Sequence, residues 1–256
     1  MQDRFVGDIG DFGKYGLLRA LAGICTRAEP LLPLGVAWYI PDPETIASTP
    51  PGHGQKIEYL FNPMLHDRYR SCDKTLFDQL KQTVCCQRHI KAVEDSGLLG
   101  SSARDEVVFH DEPIPMPAVG QRRDERKAWF SGVREKIGHA RLVFLDPDTG
   151  LADPTSDRAP KKLSQGSKDA AGYAFLCELE ELIEPPRTIA WYQSFRWDND
   201  HEGQAQEWRE RLGQALPLGS RQLHILEQES RAFVILPGEE RREDRRREAQ
   251  FASSNG

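Results

Sequence analysis

The residues of this chain best suited to chemistry fall in three short windows. Asp146 and Asp148 flank Pro147 in the run Asp146-Pro147-Asp148-Thr149-Gly150, directly after the apolar stretch Arg141 to Leu145. A carboxylate at the end of a strand is placed to accept a hydrogen bond from an amine or hydroxyl, and the proline stiffens the backbone around it. The plain alternative is an Asx turn in which both aspartates only satisfy nearby N–H groups. The second window, Gly7-Asp8-Ile9-Gly10-Asp11-Phe12-Gly13-Lys14-Tyr15, packs glycines, aspartates and a lysine together just before an apolar helical pattern. Glycine allows close approach of a ligand to the backbone. A Walker phosphate loop does not fit, because that motif needs four residues between its glycines and a Ser or Thr after the lysine. Here five residues separate Gly7 from Gly13, and Tyr15 follows Lys14. The third window, Trp191-Tyr192-Gln193-Ser194-Phe195-Arg196-Trp197, gathers aromatics, an amide and an arginine at the end of another predicted strand. Such a set suits stacking on a base, with Gln193, Phe195 and Arg196 as candidate substrate contacts, while Trp191 reads as core.

The elements that must hold these windows follow from the hydrophobic pattern. Leu17, Leu18, Leu21 and Ile24 predict a helix over Phe12–Ile24 behind a turn-rich Gly7–Asp11. Leu34–Ile40 is apolar on both faces and predicts a central strand, followed by a loop rich in proline and glycine from Pro41 to Gly54. Residues 73–96 predict two helical pieces, Val107–His110 a short strand, and Arg122–Ile137 a helix with Ala128, Trp129, Val133 and Ile137 on its apolar face. Arg141–Leu145 predicts a strand, and a polar loop follows over 151–166. Ala170–Ile183 predicts a helix, Thr188–Tyr192 a strand and Glu202–Leu216 a helix. Gln222–Leu226 and Ala232–Leu236 then predict an antiparallel strand pair. The alternation specifies an α/β fold with a mainly parallel sheet covered on both faces. In such sheets ligands bind beyond the carboxyl ends of the strands. The segment near residue 10 and the carboxylates near residue 147 are therefore expected to converge above the sheet.

Composition narrows the function classes. The net charge of −6 argues against a protein that works mainly as a basic sleeve for nucleic acid, although the basic start of the Arg122 helix leaves room for a phosphate contact. The five cysteines form no C-x-x-C pair and read as reduced thiols of a cytoplasmic protein. No apolar run is long enough to span a membrane, no secretory h-region follows Met1, and the histidines show no metal-ligand spacing. Residues 1–237 read as one domain with a helical insertion at about 56–100. The run 238–256, in which acidic residues and arginines balance, reads as a disordered tail.

With the element order in place, the chain resembles the class I S-adenosylmethionine-dependent methyltransferases, nearest to the rRNA adenine-N6 methyltransferases and more loosely to the three-Cys-motif partner proteins. Those families carry G-N-x-x-D-x-x-K-H before the first helix, where this chain has Gly7, Asp8, Asp11, Lys14 and Tyr15 in the same register. They also carry D-P-P-Y at a strand end, where this chain has Asp146-Pro147-Asp148-Thr149. The resemblance implies a three-layer Rossmann-like methyltransferase sheet ending in an antiparallel pair, with S-adenosylmethionine as cofactor. It places Gly7, Asp8, Asp11, Lys14 and Tyr39 around the methyl donor. Asp146, with Asp148 beside it, becomes the acceptor for the exocyclic amine of a nucleobase that is flipped out or single-stranded. Nucleic acid is then a candidate partner. Thr149 supplies no stacking ring, and Ile40-Pro41 stands where a glycine turn is usual. Two other readings compete. Asp8, Asp11, Asp146 and Asp148 gathered together would suit Mg²⁺-dependent phosphodiester hydrolysis. A non-catalytic descendant that works through a partner would explain the missing glycine turn.

Overall fold

Both apolar runs in the first two-thirds of the chain become central strands. The structure, a computed structural model, describes residues 2–24, 32–42, 56–100, 106–116, 118, 120–152, 168–184, 186–195, 201–216, 218, 221–228 and 231–238. Most of the predicted loop after Ile40, nearly all of the polar loop after Leu151, Arg196 with Trp197, and the charged tail from residue 239 lie outside these residues. In chain order the elements are α1 (Ile9–Ala22), β1 (Leu34–Trp38), α2 (Pro63–Arg70), α3 (Lys74–Cys86), α4 (Ile90–Asp95) and β2 (Val107–His110). Next come α5 (Arg122–Ile137), β3 (Leu142–Asp146), β4 (Gly150–Leu151), β5 (Tyr173–Ala174) and α6 (Leu176–Leu182). The last are β6 (Thr188–Ser194), α7 (His201–Ala215), β7 (His224–Gln228) and β8 (Arg231–Leu236).

Six strands form one sheet in the order β2-β1-β3-β6-β8-β7. The first four are parallel, with Leu34 beside Val107 on one side and Leu142 on the other, and Trp38 beside Asp146. Strand β8 runs antiparallel between β6 and β7. Every residue of β1 and β3 is buried, as expected of strands sandwiched between two helical layers. Side-chain alternation divides the core in two. Val36, Trp38, Leu142 and Phe144 pack under α1, α3 and α4, whereas Ala37, Val143, Leu145, Ile189 and Trp191 pack under α5, α6 and α7. The fold is thus a three-layer, Rossmann-like α/β sandwich with an antiparallel pair at one edge.

The structure departs from the sequence pattern in three places. Helix α1 begins at Ile9, three residues before the predicted start, because the Asp8 side chain accepts a hydrogen bond from the Asp11 N–H at 3.0 Å and caps the turn that holds Gly10. The helix predicted over Ala170–Ile183 shrinks to Leu176–Leu182, since 168–172 is a 3₁₀ turn and Tyr173–Ala174 pairs with Gly150–Leu151. Helix α2 was not evident in the hydrophobic pattern because it buries no residue. Its signal was local: Asn62 accepts from the Met64 N–H, and Pro63 opens the first turn. No helix among the described residues is long and apolar enough to cross a membrane.

Candidate functional site

The glycine-and-aspartate window and the strand-end carboxylates meet directly. Lys14 follows Asp11 by three positions on α1, so both side chains lie on one helix face, which the sheet order sets above the end of β3. The Lys14 Nζ sits 2.8 Å from Asp11 Oδ1 and donates to Asp146 Oδ2 at 2.9 Å. Asp11 Oδ2 accepts in addition from the Gly7 N–H at 3.0 Å and from the Tyr15 hydroxyl at 3.2 Å. The Lys14 ammonium also lies over the rings of Tyr15 and Trp38, at 5.0 and 5.5 Å from their centroids. The Gly7 carbonyl accepts from the Tyr59 hydroxyl at 3.1 Å, which ties the start of the window to the segment before α2.

Asp11, Lys14 and Asp146 are all buried, so each charge depends on its partners for solvation. Burial opposes the charge on Lys14, but the Asp11 and Asp146 carboxylates together outweigh it and hold the ammonium above its ordinary pKa. Burial raises the Asp11 carboxyl to about 6, against the opposing pull of Lys14. Arg231, at the start of β8, reaches to 3.9 Å from Asp8 Oδ1. It can do so because residue 10 is glycine: a Cβ there would lie 1.5 Å from the Arg231 guanidinium. Tyr192 on β6 has its hydroxyl pKa raised by burial and by Asp146, with Arg231 opposing. The aromatic run drew attention to Tyr192 only as part of a group, and no sequence pattern announced Arg231.

Beside this closed cluster lies an open one. A cavity of about 310 Å³ sits beyond the ends of β1 and β2, lined by Ile40 and Pro41, by Gln2 and Asp3, by Glu94 of α4 and by Asp111. Glu94 accepts from the Trp38 indole N–H at 2.9 Å and from Lys91 at 2.9 Å, and burial raises its pKa. Asp3 accepts from the Ile90 N–H at 2.8 Å, and Asp111 from Lys136 at 3.2 Å. Gln2 spans the gap to the strand-end turn, its amide N–H₂ donating to Asp148 Oδ2 at 2.6 Å. Asp148 is only partly buried, unlike Asp146.

Tyr39 does not join the window near residue 10. It follows Trp38, which faces α1, so alternation turns it to the opposite layer, where its hydroxyl donates to Glu178 Oε2 at 3.1 Å. Gln193 faces that layer too. Its Oε1 accepts from the Leu151 N–H at 2.9 Å and its amide nitrogen donates to the Ser194 carbonyl, so both polar ends serve the backbone. The contact needs Gly150, whose φ is +118° and whose place would put a Cβ 2.7 Å from the Gln193 amide. Phe195 is core under α5, α6 and α7 rather than a stacking platform, and Arg196 lies outside the described residues.

Among the described residues no group of three or more His, Cys, Asp or Glu side chains is arranged to hold a metal ion. In the aspartate cluster the Lys14 ammonium occupies the place between Asp11 and Asp146 that a cation would take. The four described cysteines, Cys72, Cys85, Cys86 and Cys177, form no disulfide among the described residues. In comparisons with known proteins, no family model matches this chain and no curated protein matches it.

Proposed function

We propose that this chain binds S-adenosylmethionine in the cavity beyond β1 and β2 and transfers its methyl group to an amine nitrogen, on a nucleobase or a similar group, presented at the Asp146-Pro147-Asp148 turn. The observation that carries this reading is the cavity's position, at the carboxyl ends of parallel strands and one residue, Gln2, away from Asp148. The lining chemistry fits the cofactor. Asp3, Glu94 and Asp111 set three carboxylates against the single ammonium of Lys91, which suits a ligand bearing hydroxyls and positive charge and disfavours a phosphate-bearing nucleotide. The volume is at the lower end of small-ligand sites, which run from about 300 Å³.

When bound, the cofactor supplies an electrophilic methyl group and the protein supplies orientation. The Asp148 carboxylate, held by Gln2 and partly open to solvent, accepts a hydrogen bond from the incoming amine. Asp146, locked to Lys14, fixes the turn from below. Ile40 and Pro41 keep one wall of the cavity apolar. The non-catalytic alternative draws on a specific feature, the mutual neutralisation of Lys14 and Asp146 inside the core. The metal-dependent alternative has Lys14 against it.

Isothermal titration separates the three. Micromolar binding of S-adenosylmethionine, weakened at least about fivefold in Asp111→Asn as expected for loss of a charged hydrogen-bond acceptor, supports methyl transfer. Absence of any heat with S-adenosylmethionine sinks it. Binding of Mg²⁺ or Mn²⁺ in that case favours phosphodiester chemistry, and silence toward all three favours the partner-binding descendant.

A further inference from the structure

Gln2 lies where the cavity and the strand-end turn touch, and its two polar atoms have different fates. The nitrogen donates to Asp148 Oδ2 at 2.6 Å. Because a carboxylate only accepts, this bond fixes the amide orientation and turns Oε1 the other way. That oxygen is buried and has no hydrogen-bond partner. A buried acceptor left unmatched is costly, and because Gln2 also lines the cavity, a small turn of its amide would bring this oxygen to a ligand donor. The neighbouring backbone is held as well: Asp3 binds the Ile90 N–H of α4, the Val6 carbonyl accepts from Arg88 at 2.8 Å, and Gly7 is tied to Asp11. Gln2 is therefore presented by an anchored segment.

We propose that Gln2 is a positioning residue that couples cavity occupancy to the strand-end turn: Oε1 accepts a hydrogen bond from a hydroxyl or amine of the bound ligand while Nε2 keeps Asp148 aimed at the acceptor. The inference rests on the methyl-donor reading of the cavity and adds a residue to it. It makes Asp148 the carboxylate whose placement responds to the ligand, and leaves Asp146 to the buried lysine.

The test is titration of the full chain with S-adenosylhomocysteine, a stable cofactor product, for wild type, Gln2→Ala, Gln2→Glu and Asp148→Ala. Gln2→Ala is expected to weaken binding by about tenfold, the effect of one hydrogen bond to a buried acceptor, while the thermal melting midpoint stays near wild type. The double variant Gln2→Ala with Asp148→Ala should bind no worse than Gln2→Ala alone, because the two residues act as one unit. Gln2→Glu carries the decisive signature. Its carboxylate opposes Asp148 at neutral pH, and protonation on acidification restores a donor, so its affinity relative to wild type at the same pH should recover as pH falls. Wild-type binding with Gln2→Ala unchanged, or with strictly additive effects of Gln2 and Asp148, overturns the coupling and leaves the methyl-donor reading standing. Absence of wild-type binding overturns both.

Discussion

The sheet carries a buried ion network on each face, and the two are built differently. Under α5 and α6, Arg126 donates from Nε to Glu178 Oε1 at 2.7 Å and from Nη2 to Oε2 at 3.0 Å, while Tyr39 completes the carboxylate. The guanidinium is wrapped by the rings of Tyr39, Trp129 and Phe175 at 4.7–5.5 Å. One cation meets one anion in an aromatic sleeve, an arrangement that joins α5 to α6 and leaves Arg126 Nη1 buried without a hydrogen-bond partner among the described residues. Under α1 the composition is unbalanced. Asp11 and Asp146 flank Lys14, and Arg231 approaches Asp8 from β8. The first network pairs its charges one to one, whereas the second holds three carboxylates, Asp8, Asp11 and Asp146, against two cations, Lys14 and Arg231.

The sharpest way to break this contrast is to strand a charge in the balanced network. Glu178→Ala leaves the Arg126 guanidinium buried without a counter-ion, and the expected loss of unfolding free energy is about 3–5 kcal/mol by denaturant titration. A loss below about 1 kcal/mol would show that the aromatic sleeve alone holds the cation.

A smaller effect, with a distinctive pH signature, belongs to the α1 network. The Asp11 carboxyl is raised by burial from 3.8 to about 6 in the folded protein. Between those values the native state holds a proton that the unfolded chain has released, so stability from this group falls as pH rises from about 4 to about 6. The drop is on the order of 3 kcal/mol. Asp11→Asn removes it. The stability advantage of wild type over Asp11→Asn should therefore shrink across that window, and a pH-independent difference would contradict the assignment.

The smallest effect is expected at Gly10→Ala. A methyl group must displace the tip of Arg231, a flexible side chain, while alanine favours the helix by about 1 kcal/mol. Net stability should move by less than about 1 kcal/mol. A cost above about 2 kcal/mol would make Arg231 a fixed member of the cluster.

Much of this architecture was legible before any coordinates. Strands β1 and β3 announce themselves because burial on both faces leaves no polar residue in the runs Leu34–Trp38 and Leu142–Leu145, and α5 keeps the predicted Arg122–Ile137 bounds, although Ala128, expected on its apolar face, is exposed while Arg126 and Phe130 are buried. The antiparallel pair of β7 and β8 was also expected, with bounds displaced by one or two residues. The meeting of the residue-10 window with the residue-146 turn followed from topology. What remained hidden was phase. Tyr39 and Trp38 are adjacent and both aromatic, and only the observed pleat decides that one faces α1 and the other Glu178. The same pleat turns Gln193 to the Leu151 backbone and Phe195 into the core. Gln2, Glu94 and Arg231 escaped notice because each reaches its place through a contact distant in sequence, with no local motif to mark it.

The reversed strand β8 carries a consequence for the order of assembly. Arg231 opens that strand, yet its charge is directed at Asp8, more than two hundred positions earlier. During synthesis the residues of α1 and of all four parallel strands are made before Arg231. Docking of the final hairpin then supplies both the missing edge of β6 and the counter-charge at the α1 terminus. Maturation of the acidic rim is thereby tied to completion of the fold.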